Sequence, residues 1–169
     1  MEPPINHAFK LNTDGFCLGN LGKGRIGGIV RSSNEGWVMG FSRSFHNTTN
    51  NMMKLFALIE GIKMVEVNNI LPFEINVDSL KIISMLSNSN LHYDALILDC
   101  RLRLKRLENP KVGHCYRDQN GVADALAKEG ARTCRFNEIT FFEVPPVYAK
   151  NAVWADISGG GCNLTSCFF

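Results

Sequence analysis

Near Thr49 the hydrophobic pattern of the chain changes period, and this change restricts the available folds more than any other feature. Before it stand three strand-like runs, FKLNTDGF (9–16), GRIGGIVRS (24–32) and WVMGFSRSF (37–45), separated by turn-forming residues such as SSNEG. Short connections between consecutive strands predict an antiparallel meander. The first strand is expected to end in a turn at Asp14 and Gly15, while Gly27 and Gly28 mark a bulge or a close backbone approach in the second. After the change, Met52, Leu55, Leu58, Ile59, Ile62 and Val65 recur at three- and four-residue spacing. That spacing predicts an amphipathic helix of about four turns with Thr48 or Thr49 as N-cap.

The remaining elements alternate. A strand is predicted over 72–78, a helix from Ser79, a second helix over about 93–107, a fifth strand in PKVGHCYR, and a helix from Asn120 to Gly130. Three strands, then helix, strand, helices, strand and helix imply a mixed α/β fold in which antiparallel and parallel parts share one sheet through right-handed crossovers. With 169 residues, one core is the natural expectation: a lead over 1–8, a domain over 9–132 and an irregular, loosely packed tail over 133–169, interrupted by Pro and Gly.

Several function classes recede on composition. No run of eighteen apolar residues suggests a membrane span, and MEPPINHAFK lacks the regions of a secretory signal, so an intracellular protein, cytoplasmic or nuclear, is expected. The six cysteines show no C-x-x-C pair and read as free thiols rather than a structural metal site. A net charge of +2 does not by itself establish a nucleic-acid partner. The one dense basic run, RLRLKR from Arg101 to Arg106, reads as the solvated face of a helix or as a nucleic-acid contact.

Three aspartates occupy equivalent places in this layout: Asp14 after the first strand, Asp78 after the fourth, and Asp124 early in the last helix. Each alone has an ordinary use as a turn former or a helix-entry charge. Together they can converge, because ligands of open sheets with crossover helices gather beyond the carboxyl ends of the strands. Convergent carboxylates suit hard divalent ions, Mg²⁺ or Mn²⁺, which in pairs assist phosphodiester cleavage.

KLNTDG, GGIVRSSNEGWVMGF, TNN, VDS and GHCYRDQNGVADALAKEG, in this order, resemble the ribonuclease H-like (RNase H type-1) domain of plant retrotransposon-derived proteins. The set H-x-x-R-x-x-N-x-x-A-D within it is specific, and DISG near Asp156 is similar to what often follows such domains. The resemblance implies a five-stranded mixed sheet flanked by helices and cleavage of RNA in RNA–DNA hybrids. It also implies two divalent ions held by Asp, Glu, Asp and Asp, with a mobile His assisting. Carried over by motif, the catalytic and metal positions are Asp14, Asp78 and Asp124, the histidine is His114, and Asn120 helps order the site. Candidate nucleic-acid contacts are Gly15, Asn50, Asn51, Asn120, Arg101 and Arg103.

The family's Glu falls on Lys54. Helical spacing groups residue 54 with Leu58, Gly61 and Val65 on an inward side. Glu60 lies six residues on, about 9 Å of translation and about 240° of rotation away, too far to replace a ligand. Lys54 is expected to pair with Asp14 or Asp78 and weaken divalent-ion binding, or else to extend its ammonium to solvent. Two function classes therefore stand: a metal-dependent hybrid endonuclease impaired by Lys54, or a nucleic-acid-binding module or retroelement remnant without turnover. Either is expected to be a monomer with no obligate protein partner and no membrane contact.

Overall fold

Each of the three N-terminal runs becomes a sheet strand in the computed structural model, which describes residues 8–163 apart from 20, 89, 131, 133 and 134. Strands β1 (Phe9–Leu18), β2 (Gly22–Arg31) and β3 (Trp37–Thr48) pair antiparallel in sequence order. On the other side of β1, β4 (Phe73–Val77) and then β5 (Val112–His114) add in parallel. The fold is mixed α/β as expected, with the five expected strands present and a sixth added. This sixth strand, β6 (Thr140–Phe142), pairs with the outer edge of β3, so the order is β5-β4-β1-β2-β3-β6.

Helix α1 (Asn50–Val67) lies against the sheet, and α2 (Leu80–Ser87) and α3 (Asp94–Arg106) form the crossover from β4 to β5. The short α4 (Gly121–Ala125) continues as a wider turn over Leu126–Gly130, and α5 (Lys150–Asn163) follows β6. The sheet is apolar on both faces. Ile26 and Val30 of β2 join Leu11, Phe41, Leu58 and Ile62 in the larger core, whereas Ile29, out of phase with them, packs with Val122, Leu126 and Ala149. Both faces must therefore be covered, by α1 on one and by α4 and α5 on the other.

Gly27 shows how close the second layer lies, since a Cβ there would stand 2.4 Å from the Ala127 backbone nitrogen. Of the two readings of the glycine pair, close approach is the one observed. The register shifts of β2 lie elsewhere, at Gly22/Gly24 and Val30/Arg31.

Past residue 132 the described chain differs from the expected irregular tail. β6 closes the β3 edge, and α5 packs Ala152 and Val153 near Ile29 and Val122. An ion pair at 2.7 Å between Arg31 and Asp156 ties α5 to β2. Residues 1–7 and 164–169, with the expected lead and the end of the tail, lie outside the described residues.

Cys17, Cys100 and Cys115 are free and buried, while Cys134 and Cys167 fall outside the described residues. Burial pushes the Cys100 thiol up to about 12 and that of Cys115 to about 11, with Asp99 and Asp78 respectively adding to the rise. Both should stay protonated and resist iodoacetamide at neutral pH in the folded protein, then react fully in denaturant. Mass spectrometry of the labelled peptides checks this, and modification of either thiol in the native state would contradict it.

Candidate functional site

Strand register builds the site. Thr13 of β1 is the parallel partner of Val77 of β4, so the residues that follow, Asp14 and Asp78, emerge side by side. His114 at the end of β5 stands opposite Val77, which brings it to the same end of the sheet. The expected turn at Asp14 is corrected: β1 runs on to Leu18, with Asp14 paired to Gly27 of β2. Gly15 has another purpose. A Cβ on it would lie 2.4 Å from the Met53 carbonyl oxygen, so glycine allows β1 to touch the first turn of α1.

That turn is fixed from two sides. The Thr49 hydroxyl caps α1 by accepting the Met52 N–H at 3.3 Å, and the Asn50 side-chain oxygen accepts the Cys17 N–H at 2.7 Å. Lys54 then has one direction to go. Its Nζ donates to Asp14 Oδ1 at 2.9 Å and to Asp78 Oδ1 at 2.8 Å. The lysine side chain is only 21% exposed, so the ammonium is turned inward and pairs with both aspartates instead of reaching solvent. Thr13, Val77, Ser79 and Ile82 complete the walls of a pocket of about 180 Å³, which includes open solvent.

Burial opposes the charge on Lys54, yet the two carboxylates outweigh it and hold its pKa above the ordinary lysine value. Asp14 is also raised. For it burial is the largest cause, and the proximity of Asp78 adds to it, against the opposing effect of Lys54. The cluster sets the side chains of two aspartates around Lys54 Nζ.

Divalent ions fit this arrangement poorly. Mg²⁺ needs oxygens at about 2.0–2.1 Å, and one oxygen of each aspartate, Asp14 Oδ1 and Asp78 Oδ1, is already bound to Nζ. Among the described residues no group of three or more His, Cys, Asp or Glu is placed to hold a metal. Asp124 belongs instead to an exposed i,i+4 pair on α4, with Lys128 Nζ at 2.8 Å. Glu60 is buried and faces Arg43 at 3.3 Å and Lys63 at 3.2 Å, which agrees with its exclusion as a replacement ligand.

His114 is exposed, its ring edge-on to Tyr116 with centroids 5.6 Å apart. Asn120 is buried. Its Nδ2 donates to the Thr13 carbonyl at 3.0 Å, and its oxygen accepts from Asn12 at 3.2 Å, which pins the start of α4 beside β1. Asn51 donates to the Tyr93 hydroxyl at 3.4 Å. The basic run is engaged within the fold: Arg101 donates to the carbonyls of Leu86, Met85 and Asn88 at the end of α2, and Arg103 pairs with Asp99 and Glu66.

Sequence reasoning missed one buried network. Arg31 donates to Asn12 at 3.2 Å and to Asp156 at 2.7 Å, so a continuous hydrogen-bonded path runs from α5 through Asn12 to Asn120. Burial raises the Asp156 carboxyl despite Arg31 beside it. The polar Asn12 directly after the apolar Leu11 was the available signal, but nothing in the sequence pairs Arg31 with a residue 125 positions away.

Residues 12–130 match the family described as reverse transcriptase-like. The ribonuclease H of Actinobacillus pleuropneumoniae serotype 5b is 30% identical over 145 residues, covering 76% of this chain and 94% of that protein. The chain belongs to the ribonuclease H family. A candidate ribonuclease H protein of Arabidopsis thaliana is also 30% identical over 121 residues, 70% of this chain, and the chain spans 20% of that relative's length. Among solved structures, LC11-RNase H1 in complex with an RNA/DNA hybrid shares the fold, with a TM-score of 0.67 at 21% identity, covering 72% of this chain and 94% of that one. Asp14, Asp78 and Lys54 all lie inside the matched segment of this ribonuclease H-like chain, whereas β6 and α5 lie beyond it. No helix among the described residues is long and apolar enough to cross a membrane.

Proposed function

We propose that this ribonuclease H domain binds RNA–DNA hybrids and that its hydrolysis is strongly impaired or absent, because Lys54 occupies the position a divalent ion would need. The supporting observation is the double ion pair of Lys54 with Asp14 and Asp78, at 2.9 and 2.8 Å. An ammonium between two carboxylates reduces their attraction for a cation and fills the space it would use. Binding of a hybrid is supported by the family and by the hybrid held in the LC11-RNase H1 complex. Such binding would rest on phosphate and 2′-hydroxyl contacts and duplex shape, with little reading of bases. Gly15, Asn50 and Asn51 are the proposed contacts near the site, while Asn120, buried and bonded to Thr13 and Asn12, would act by ordering it. Arg101 and Arg103 would have to leave their present partners to contribute.

Residual cleavage dependent on Mg²⁺ or Mn²⁺ is the second reading, supported by the alignment of Asp14, Asp78 and His114 at one end of the sheet. A labelled hybrid incubated with Mg²⁺ or Mn²⁺ separates the two. The unaltered protein should bind the hybrid in a salt-dependent way and leave it uncut. Cleavage by the unaltered protein that Asp78→Asn abolishes would overturn the proposed impairment.

A further inference from the structure

We infer that Lys23, His46 and Phe136 form a stacking platform for an unpaired base of a strand that extends beyond the hybrid, an inference that rests on the hybrid binding proposed above. The sheet places these residues together. Leu18 pairs with Lys23 across β1 and β2, and Gly24 pairs with Phe45 across β2 and β3, so Lys23 and His46 lie past Cys17, which Asn50 holds against α1. They therefore occupy the end of the sheet toward which β1 runs from Asp14. Phe136 arrives from outside the family-matched segment, positioned by the Asn137 N–H bonded to the Ser44 carbonyl at 3.0 Å.

The rings of His46 and Phe136 are stacked nearly parallel, with centroids 3.6 Å apart and an interplanar angle of 7°. Lys23 Nζ sits over the Phe136 ring, 5.6 Å from its centroid. Phe136 belongs to neither core cluster and remains 41% exposed, and His46 and Lys23 are exposed as well. Holding the segment against β3 does not require this stack, since Asn137 and the β6 pairing already do so. What the stack adds is a rigid aromatic surface with an ammonium beside it.

That combination suits single-stranded nucleic acid. Aromatic faces take up bases and a cation meets the phosphates, independently of sequence. In a duplex the base faces are covered by their neighbours, so the ligand that fits is an unpaired base next to the duplex.

Fluorescence anisotropy with four kinds of probe tests the inference: a blunt hybrid, the same hybrid with a short single-stranded DNA overhang, that overhang made abasic, and a free single strand with and without its bases. The overhang should tighten binding about tenfold relative to the blunt hybrid, the scale of one base stacked on an aromatic ring. The abasic overhang, which carries the same phosphates, should recover little of the gain. His46→Ala should remove the difference between overhang and abasic probes, and His46→Tyr should retain it. Equal binding of the intact and abasic overhangs, or a gain that survives His46→Ala, would overturn the platform. If the blunt hybrid fails to bind while a free single strand binds in a base- and His46-dependent way, hybrid binding falls and the platform stands. If neither binds, both fall.

Discussion

Lys54→Glu is expected to bind divalent ions more tightly than the unaltered protein and to depend on them for stability. The substitution exchanges the ammonium at 2.8–2.9 Å from two carboxylates for a third carboxylate in the same confined space. Loss of one partner from a largely buried ion pair costs about 3–5 kcal/mol, and the new like charges add repulsion. Without metal the variant should therefore melt well below the unaltered protein. Mn²⁺ or Mg²⁺ at about a hundred times its dissociation constant would return roughly 2.7 kcal/mol through binding to the folded state alone. Melting temperatures in chelator and in each ion, with calorimetric titration of Mn²⁺, read this without reference to cleavage. A saturable Mn²⁺ stabilisation of the unaltered protein equal to that of the variant would show that Lys54 does not exclude metal.

The stability that this clamp contributes depends on pH through Lys54 and Asp14. The raised pKa of Lys54 means that its share of stability is fully present below the ordinary lysine value and is lost only as pH rises through the higher folded value. Asp14 is raised too, by burial first, so its share favours the fold below its unfolded value and fades as pH climbs through the folded one.

Much of the site could be read in the sequence because it follows from strand register and helical spacing. VDS after an apolar run placed Asp78 at the end of a strand, and the period of α1 turned Lys54 inward, where it meets Asp14 and Asp78. The failures have a common cause in tertiary contacts that local preference cannot anticipate. Asp14-Gly15 has the chemistry of a turn, yet β2 supplies a ladder that carries β1 on to Leu18. Glycines 159–161 argue against a helix, but Ala152 and Val153 pack into the second cluster and α5 extends to Asn163. The basic run around Arg101 reads as the solvated face of a helix or as a nucleic-acid contact, and neither reading anticipates that the Arg101 guanidinium closes the carbonyl end of α2. Register and period are local properties. Which edge a later segment covers depends on the whole fold.

Gly15→Ala should destabilise the protein by about 3 kcal/mol, toward the upper end for a single overpacked group. The added Cβ would stand 2.4 Å from the Met53 carbonyl oxygen, 2.5 Å from its carbon and 2.9 Å from the Lys54 nitrogen. These are backbone atoms and cannot rotate away. The start of α1 has little room to retreat, because the Thr49 cap and the Asn50 to Cys17 hydrogen bond hold it against β1. Gly61 offers the contrast on the same helix. There a Cβ would meet the Thr13 Cγ2 at 2.9 Å and the Leu11 methyl carbons at 3.0 Å, ends of side chains that can shift. Alanine also favours the helix over glycine by about 1 kcal/mol, so Gly61→Ala should cost about 1 kcal/mol or less. Urea denaturation of the two variants compares them directly, and equal losses would mean that α1 is not held rigidly against β1. Because the backbone nitrogen of Lys54 is among the crowded atoms, a displacement that relieves Gly15→Ala also moves the backbone that carries Nζ to Asp14. The close approach at Gly15 and the ion pair at Lys54 are thus parts of one mechanical contact.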